Sequence, residues 1–335
     1  MILVENEGIN NPHLNLALEE YIVRNFGTET DYLLFYVNSP SIIIGKNQNT
    51  LEEINHEYVK EKELYVVRRV SGGGAVYHDF GNLNFSFITN HDITSLNNFK
   101  KVTAPIVNAL EKLGVHAEMK GRNDVVVNDK KISGNAQFST GKRMISHGTL
   151  MLDSDLNEVS KALTVKMSKI KSKGHKSARS RVANISEFMD HKISVEEFRK
   201  AIIEHLFEGD TDFKTYRLSE EEWEAVHQLK KEKYDTWDWN FGRSPKFNIR
   251  RENRFSSGTF DIRIFVEKGH IQALTIFGDF FGFQPIEGLE EALTGIRYEE
   301  EELEKVISEV ELNQFIGGIE EKEFLSLLYG SDEVV

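Results

Sequence analysis

Apolar residues recur at helical spacing in several segments of the chain, and each recurrence predicts an amphipathic helix. These helices are predicted at residues 14–25, 51–62, 97–113, 194–207 and 217–231. Short apolar or alternating runs between them predict strands. The runs are Tyr32–Val37, Ser41–Gly45, Leu64–Val67 and Leu83–Phe87. The pattern predicts a domain that contains both helices and strands.

Residues 116–152 read as a meander of three strands, with turns at residues 128–129 and 139–141. In the middle strand, alternation places polar side chains on one face and apolar or small ones on the other. The polar set is Lys131, Ser133, Asn135 and Gln137, and the other set is Ile132, Gly134, Ala136 and Phe138. A polar face headed by a lysine suits a binding site, although a solvated sheet surface is the simpler interpretation.

The periodic pattern breaks across Trp237–Ser244 and then resumes with strand-like alternation over residues 260–264. A second strand is predicted at Ile271–Phe277, followed by glutamate-rich helices and a last amphipathic helix near Glu320–Leu328. We therefore predict a main domain over residues 1–244 and a small α/β accessory domain over residues 245–335.

Composition narrows the functional classes. A chain of 335 residues is long enough for two domains, and its formal net charge of −13 argues against general nucleic-acid binding. Neither a long apolar run nor a basic, apolar leader is present, so we expect a cytoplasmic protein without a membrane partner. The sequence has no cysteine, which excludes disulfides, thiolate metal ligands and cysteine nucleophiles.

Three consecutive glycines, Gly72–Gly74, lie between two strand-like runs. Glycine lets the backbone approach a ligand, and the N–H groups of such a turn can hold a phosphate, with Arg69 beside them as a cation. The simpler interpretation is a sharp bend between strands. The spacing matches neither a P-loop nor the Gly-x-Gly-x-x-Gly pattern of a dinucleotide-binding fold.

Residues 68–87 nevertheless resemble, almost residue for residue, the lipoate-binding loop of the lipoate–protein ligase A family. Gly121–Asp124 followed by Lys131–Gln137 resembles the family's strand with the catalytic lysine, and His147–Leu150 resembles the strand beside the adenylate. The three motifs occur in the family's order and spacing. The resemblance implies an α+β fold, in which helices flank a mixed or antiparallel sheet of the biotin/lipoate ligase catalytic type, here in the large form with a C-terminal accessory domain.

The resemblance also implies roles for individual residues. Lys131 would bridge the acyl carbonyl and the phosphate. Contacts with ATP or the adenylate are implied for Arg69, Gly74, Ala75, Val76, Tyr77, Arg122, Lys131 and Thr149. Contacts with lipoate are implied for Ser71, Gly73, His78, Lys131 and His147, of which the two histidines are equally compatible with simple packing. Asp124 is implied as a Mg²⁺ ligand, with a ribose contact or a structural turn as alternatives.

A basic stretch follows between residues 166 and 181, without an acidic residue among its cations. It contains Lys166, Lys169, Lys171, Lys173, Lys176, Arg179 and Arg181. Such a run is usually a solvated surface. The resemblance implies instead a loop that closes over the anionic adenylate, with Arg181 among its contacts.

The implied reaction has two steps, because a carboxylate does not acylate an amine in water. Lipoate and ATP first give lipoyl-AMP, and a lysine of an acceptor protein then attacks the acyl carbon. The implied acceptors are glycine cleavage H protein and the E2 lipoyl domains of 2-oxo acid dehydrogenases. Octanoyl transferases and lipoyl amidotransferases use a cysteine, which this chain lacks. The same residues also allow a biotin ligase or a non-catalytic adenylate-binding protein.

Overall fold

The structure of the protein is a computed structural model that describes residues 1–95, 98–163, 181–210, 212–242 and 247–329. The strands of its described residues are β1 (Ile2–Val4), β2 (Tyr32–Tyr36), β3 (Ser41–Ile44), β4 (Tyr65–Arg68), β5 (Val76–His78), β6 (Asn82–Asn90), β7 (Glu118–Lys120), β8 (Asp124–Val127), β9 (Lys130–Ser139), β10 (Arg143–Met151), β11 (Thr215–Tyr216), β12 (Ile249–Phe255), β13 (Gly258–Glu267) and β14 (His270–Gly278).

The α-helices of the described residues are α1 (Pro12–Asn25), α2 (Thr50–Glu53), α3 (His56–Glu61), α4 (Phe99–Lys112), α5 (Leu156–Ala162), α6 (Val195–Leu206), α7 (Glu220–Leu229), α8 (Trp237–Phe241), α9 (Glu287–Ala292), α10 (Glu300–Glu309), α11 (Leu312–Phe315) and α12 (Glu321–Tyr329). A 3₁₀ turn occupies Ile185–Phe188, and a π-helix, Lys230–Tyr234, extends α7.

Most predicted elements are confirmed, and the differences have local causes. The helix predicted over residues 51–62 is divided, because the side chain of Asn55 accepts a hydrogen bond from Tyr58 N and caps α3 as a separate helix. The predicted meander of three strands contains a further short strand, β7, at its start. The strands β1, β5, β11 and β12 were not predicted, and each is short or carries little apolar alternation.

Eight strands form the main sheet in the order β11-β1-β2-β6-β10-β9-β8-β7. β1 pairs in parallel with β2 and β11, and the other neighbours pair antiparallel. One face of the sheet packs against α4 and α6 in a core that includes Phe35, Phe85, Ile132, Ile106 and Phe198. The mixed sheet with flanking helices confirms the predicted α+β class.

The opposite face of the main sheet is polar although it is buried. Asn84 and Ser86 of β6 lie directly across from Thr149 and His147 of β10, and Tyr36 of β2 is the other neighbour of Asn84. Asn84, Ser86 and Tyr36 are each at most 5% exposed. Buried polar groups are costly unless they have partners, so a run of them across three strands marks this face as a candidate site.

A second, three-stranded sheet has the order β4-β3-β5, with β3 parallel to β4 and antiparallel to β5. His78 at the end of β5 is paired with Ser41 at the start of β3. Arg68 ends β4, and its backbone N–H donates to Oδ1 of Asn240 at 2.8 Å. The chain leaves this sheet through two polar loops, residues 45–50 after β3 and residues 70–74 between β4 and β5.

The chain divides by its internal contacts into two compact units. The first comprises residues 1–44, 51–69 and 75–240, and the second comprises residues 45–50, 70–74 and 241–335. The second unit has an antiparallel sheet, β12-β13-β14, and a core in which the rings of Phe260 and Phe280 stack with centroids 5.0 Å apart. The predicted boundary at residue 244 lies outside the described residues and stays a prediction.

A buried carboxylate joins α1 to the π-helix in the first unit. Glu20 is 2% exposed and accepts from Nζ of Lys233 at 2.7 Å, the hydroxyl of Tyr234 at 2.6 Å and Nε of Arg24 at 2.7 Å. Burial by itself raises the pKa of this carboxyl, but the ion pair and the hydrogen bonds outweigh burial, and the pKa lies below its usual value. Glu20 therefore stabilises the fold in its ionised state.

Glu20→Gln is expected to lower the free energy of unfolding at pH 7 by about 1–3 kcal/mol, because Tyr234 and the two cations lose a charged acceptor. A depressed folded-state pKa contributes stability above the unfolded value near 4.3, and that contribution is lost as the pH falls through the folded-state pKa. Urea titrations at pH 7, 4 and 3 should show that the difference in the free energy of unfolding between the two proteins becomes smaller as the pH falls below about 4.3. The exposed Glu61→Gln serves as the control, and a deficit that is constant with pH would contradict the assignment.

Candidate active site

A buried polar cluster joins α1, β2, β10 and the small sheet within the first unit. Glu19 is 1% exposed, and both of its carboxylate oxygens lie 2.9 Å from Nδ1 of His147. Nδ1 therefore carries the proton, since a carboxylate only accepts. Arg69 is 6% exposed and donates from Nη1 to the carbonyl of Ile43 at 3.2 Å. The cluster thus places an acid, a histidine and a guanidinium away from bulk water.

The charges of this cluster act on one another. Burial lowers the pKa of Arg69 to about 10, against the opposing influence of Tyr36 and Glu19. Burial and the Glu19 carboxylate raise the pKa of Tyr36 well above its ordinary value, so its hydroxyl stays protonated. A guanidinium held in so dry a setting favours an anionic ligand, because electrostatic attraction is stronger where water is excluded.

His78 belongs to the same cluster. Burial first of all, together with the nearby Arg69 and His147, lowers the pKa of its imidazole to about 3. Its imidazole is consequently neutral at neutral pH. The preceding residues of β5, Val76 and Tyr77, are half-buried and pair with Ile43 and Ile42 of β3. Burial and nearby acids, Asp79 foremost, raise the pKa of the Tyr77 phenol, which remains a hydrogen-bond donor.

A β-bulge decides the face of β9 on which Lys131 lies. Val125 of β8 is opposite Ser133, whereas the next residue, Val126, is opposite Lys131, so Ile132 is an extra residue in β9. Ile132 packs in the core, and Ser133 stays buried across from Val125. The prediction that Lys131 shares a face with Ser133 and the polar residues beyond it is therefore wrong, because the inserted residue reverses the alternation.

Lys131 lies instead over Gly134. A Cβ atom at Gly134 would be only 2.8 Å from Nζ of Lys131, and the Gly134 N–H donates to Oγ1 of Thr149 at 3.1 Å. Nζ is 2.7 Å from Oδ1 of Asp124, and the side chains of Lys131 and Asp124 are 31% and 34% exposed. An ammonium, a carboxylate and a hydroxyl thus lie together and remain accessible to a ligand.

Arg181 and Arg122, both predicted to contact the adenylate, belong to segments adjacent to Lys131 and Asp124. Val182 forms a parallel bridge with Lys131, and Ala183 N donates to the Lys131 carbonyl at 2.9 Å, so Arg181 is adjacent to the residue paired with the lysine. Arg122 occupies the turn between β7 and β8, two residues before Asp124, and is half-buried. The lysines of the predicted basic loop and Arg179 lie outside the described residues.

The glycine loop is held by its neighbouring loop within the second unit. Lys46 N donates to the carbonyl of Ser71 at 2.9 Å, and Ser71 is 1% exposed. Gly73 has φ of +93°, which favours glycine, and a Cβ atom at Gly45 would lie 1.9 Å from the Gly73 carbonyl oxygen. A Cβ atom at Gly74 would meet nothing within 4 Å, so that glycine borders open space.

The structure therefore brings the predicted residues of the first unit into two groups. Arg69, His78 and His147 belong to the buried cluster, whereas Lys131, Asp124 and Thr149 form a more accessible one. His147 and Thr149 are two residues apart on β10 and lie on the same polar face, which joins the two groups. Ala75, the residue at which the first unit resumes after the glycine loop, is half-buried.

Sequence reasoning missed several side chains of the site. Glu19 and Tyr36 were placed in a predicted helix and a predicted strand without a role, and Asn38 was placed between two predicted strands. The loop after β3 was missed as well, although its run of polar residues directly after an apolar strand was a usable signal. That loop is buried, with Asn47 and Gln48 at 7% and 2% exposure. Buried polar residues at a strand end are typical of a binding loop.

Comparisons with known proteins identify the family of the chain. The family model described as the lipoyl protein ligase A/B catalytic domain matches residues 11–207, and that of the bacterial lipoate protein ligase C-terminus matches residues 244–328. Lipoate-protein ligase LplJ of Bacillus subtilis is 54% identical over 331 residues, covering 98% of this chain and 100% of the relative. The chain belongs to the lipoate–protein ligase family.

Two solved structures show a similar fold. P. falciparum LipL1, crystallised in complex with lipoate, has a TM-score of 0.77 and 28% identity, with 98% of each chain covered. A lipoate-protein ligase A bound with ATP has a TM-score of 0.62 and 32% identity, covering 72% of this chain and 98% of that chain. Because LipL1 covers 98% of this chain, its fold also matches nearly all of the predicted accessory domain, residues 245–335.

The described residues contain no group of three or more His, Asp or Glu side chains arranged to hold a metal ion. A single carboxylate, Asp124, is nevertheless compatible with Mg²⁺, which proteins commonly hold through one or two carboxylates and the phosphates of a nucleotide. Of the helices in the described ranges, none has the length and apolarity needed to cross a bilayer.

Proposed function

We propose that this lipoate–protein ligase activates lipoate with ATP to lipoyl-AMP with release of pyrophosphate, and then transfers the lipoyl group to a lysine amine of an acceptor protein with release of AMP. One observation carries the proposal. The ammonium of Lys131 lies on the polar face of the main sheet, 2.7 Å from Asp124 and beside the Gly134–Thr149 hydrogen bond, in a chain that belongs to this family. Both reaction steps build negative charge where such a donor stabilises it.

The proposed division of labour follows the two groups of side chains. Arg69 is suited to an anionic phosphate or carboxylate, because its guanidinium is buried and hydrogen-bonded in place. The Gly73–Gly74 backbone is proposed to let a nucleotide approach closely, and Ala75, with Val76 and Tyr77 of β5, is proposed to contact the adenylate. The lipoyl chain is proposed to lie along Ser71, His78 and His147, and the adenylate along Arg122, Thr149 and Arg181.

Lys131 is proposed to change partners during the reaction. Its contact with Asp124 is partly exposed, so the ion pair is weak and can yield to a ligand. The Lys131 ammonium would then touch the acyl oxygen and the phosphate, while Asp124 holds Mg²⁺ together with the phosphates of ATP. The metal supplies charge neutralisation at the phosphates. The protein supplies alignment, which is worth several kcal/mol of the barrier.

The acceptors are proposed to be glycine cleavage H protein and the E2 lipoyl domains of 2-oxo acid dehydrogenases, in the cytoplasm. The name of the family states that the second substrate is a protein, and a lysine amine is the nucleophile that gives a stable amide. The enzyme needs no nucleophile of its own, which suits a chain without cysteine. This distinguishes the proposal from a cysteine-dependent acyl transferase.

The test is lipoate-dependent exchange of pyrophosphate into ATP, followed by the mass of each apo-acceptor after incubation with lipoate, ATP and Mg²⁺. A ligase gives exchange without acceptor and adds one lipoyl group to the acceptor. A non-catalytic adenylate-binding protein gives neither. Exchange with biotin in place of lipoate, or transfer from a lipoylated protein without ATP, would contradict the proposal.

A further inference from the structure

A chain of buried amides connects the turn at residues 6–9 to the imidazole of His78. Asn6 and Asn15 both donate from Nδ2 to the carbonyl of Ile9 at 3.0 Å, and Asn15 Nδ2 also donates to Oδ1 of Asn38 at 2.9 Å. Nδ2 of Asn38 lies 3.0 Å from Nδ1 of His78. The three asparagines and the histidine are each at most 7% exposed, so water does not compete for these hydrogen bonds.

The direction of every hydrogen bond in this chain is fixed by backbone groups. The Ile9 carbonyl can only accept, so the amide nitrogen of Asn15 must face it, and Asn38 must present its oxygen to Asn15. The nitrogen of Asn38 then faces His78, and Nδ1 of the ring must accept. The proton of the neutral imidazole is therefore on Nε2.

Nε2 of His78 is buried and has no hydrogen-bond partner among the described residues. The hydroxyl of Ser41, directly across the strand pair from His78, is also buried and lacks a partner within the same part of the chain. A buried donor without an acceptor is costly, so Nε2 gains most from a ligand atom that accepts its hydrogen bond. His78 occupies the strand that follows the glycine loop, beside Arg69 and His147.

We propose that Asn38 is a positioning residue that fixes His78 as an Nε2–H donor to a hydrogen-bond acceptor atom of the acyl substrate. The inference rests on the proposed function and adds a residue to it. The acceptor is either an acyl oxygen or a dithiolane sulfur, and both accept an N–H hydrogen bond. The donor state is independent of pH near neutrality, because the imidazole is already neutral there.

The groups that face His78 determine the pKa of its imidazole. Arg69 from the end of β4 and His147 from β10 disfavour the imidazolium, and burial disfavours it most. The Glu19 carboxylate bonds His147 rather than His78, and Tyr36 stays protonated. An acid placed at position 38 would reverse this balance, since it accepts a proton from Nδ1 and favours a charged ring.

Asn38→Asp is the test, since the change is isosteric and reverses the polarity of one hydrogen bond. The variant should hold the proton on Nδ1 and turn a lone pair of Nε2 toward the substrate. KM for lipoate at pH 8 is expected to rise about tenfold or more, with KM for ATP little changed. The loss should shrink as the pH falls, because protonation of the ring or of Asp restores a donor.

Histidine-selective ¹⁵N NMR of the full chain shows which ring nitrogen of His78 carries the proton and does not depend on an activity measurement. The His78 signals are identified by their absence in His78→Gln. We expect Nε2–H in the unmodified protein and Nδ1–H in Asn38→Asp at pH 8. Nδ1–H in the unmodified protein would overturn the inference. The expected tautomers with an unchanged KM for lipoate would overturn the substrate contact, even if the ligase activity itself is confirmed.

Asn240→Asp is the matched control. Asn240 is 3% exposed, and its amide bonds the backbone of Arg68, Tyr234 and Thr236, so the change buries an acid without reaching His78. Asn240→Asp is expected to lower the free energy of unfolding but to leave KM for lipoate independent of pH. Octanoate, as substrate or competing ligand, identifies the acceptor atom. An equal loss for lipoate and octanoate indicates an acyl oxygen, and a loss confined to lipoate indicates the dithiolane.

Discussion

Lys131→Ala should lower the rates of both adenylate formation and transfer from supplied lipoyl-AMP by about 10²–10³-fold, the usual loss when one preorganised donor is removed. The fold should persist, because the side chain is 31% exposed and its backbone contact with Ala183 needs no side chain. Pyrophosphate exchange and single-turnover transfer measure the two steps. Near-normal rates in either step would contradict the assignment.

Lys130→Ala is the control for this variant. Lys130 is adjacent in β9, and its ammonium lies 3.8 Å from Glu187 in a surface ion pair with both side chains about half exposed. Such pairs contribute at most about 1 kcal/mol, so the change should be nearly silent. Lys131→Arg should fail almost as badly as alanine, because a planar guanidinium does not replace a compact ammonium above Gly134. A severe loss in Lys130→Ala alone would mean that the register of β9 is wrong.

Gly45→Ala should lower kcat/KM for lipoate and ATP by about 10²-fold although Gly45 has no chemical group to contribute. The added Cβ would lie 1.9 Å from the Gly73 carbonyl oxygen and 2.9 Å from the Gly73 carbonyl carbon, and both are backbone atoms that cannot rotate away. The glycine loop must therefore shift, and a displacement of about 1 Å in a loop that positions substrate lowers the rate by about 10²-fold. Steady-state kinetics with each substrate varied measures the effect.

Gly27→Ala is the matched control for Gly45→Ala. Its Cβ would meet only the carboxylate end of Glu29, which is a flexible side chain and can turn aside. The control should keep nearly normal kinetics and thermal stability. Equal kinetics for the two variants would show that the glycine loop does not depend on the loop after β3 for its conformation.

The position of individual elements was predictable because it depends on local signals. The helix predicted over residues 14–25 corresponds to α1, and its start depends on adjacent residues, because the Asn11 side chain accepts from Leu14 N at 3.0 Å. The resemblance supplied the glycine loop, Lys131 and Thr149 in the same way, because each motif is a short contiguous stretch. Short strands such as β5 were not predicted, because three residues are too few to show a periodic pattern.

The partners of the site residues were not predictable, because they are far apart in sequence. Glu19 reaches His147 across 128 residues, and Asn38 reaches His78 across 40. Periodicity carries no information about such pairs. The face of Lys131 was mispredicted for a related reason. One extra residue in β9 reverses the alternation, and a bulge depends on the register with β8 rather than on the sequence of β9.

The sequence by itself determined the α+β class, most helices and strands, the absence of cysteine chemistry and the family with its motif residues. These follow from periodicity, composition and contiguous motifs. Only the tertiary structure decided that Glu19, Tyr36 and Asn38 join the buried polar cluster around His78 and His147, that Gly45 supports the glycine loop and that Lys131 lies over Gly134. Each of these depends on packing between distant segments, where burial and hydrogen-bond geometry rather than local preference set the lowest free energy.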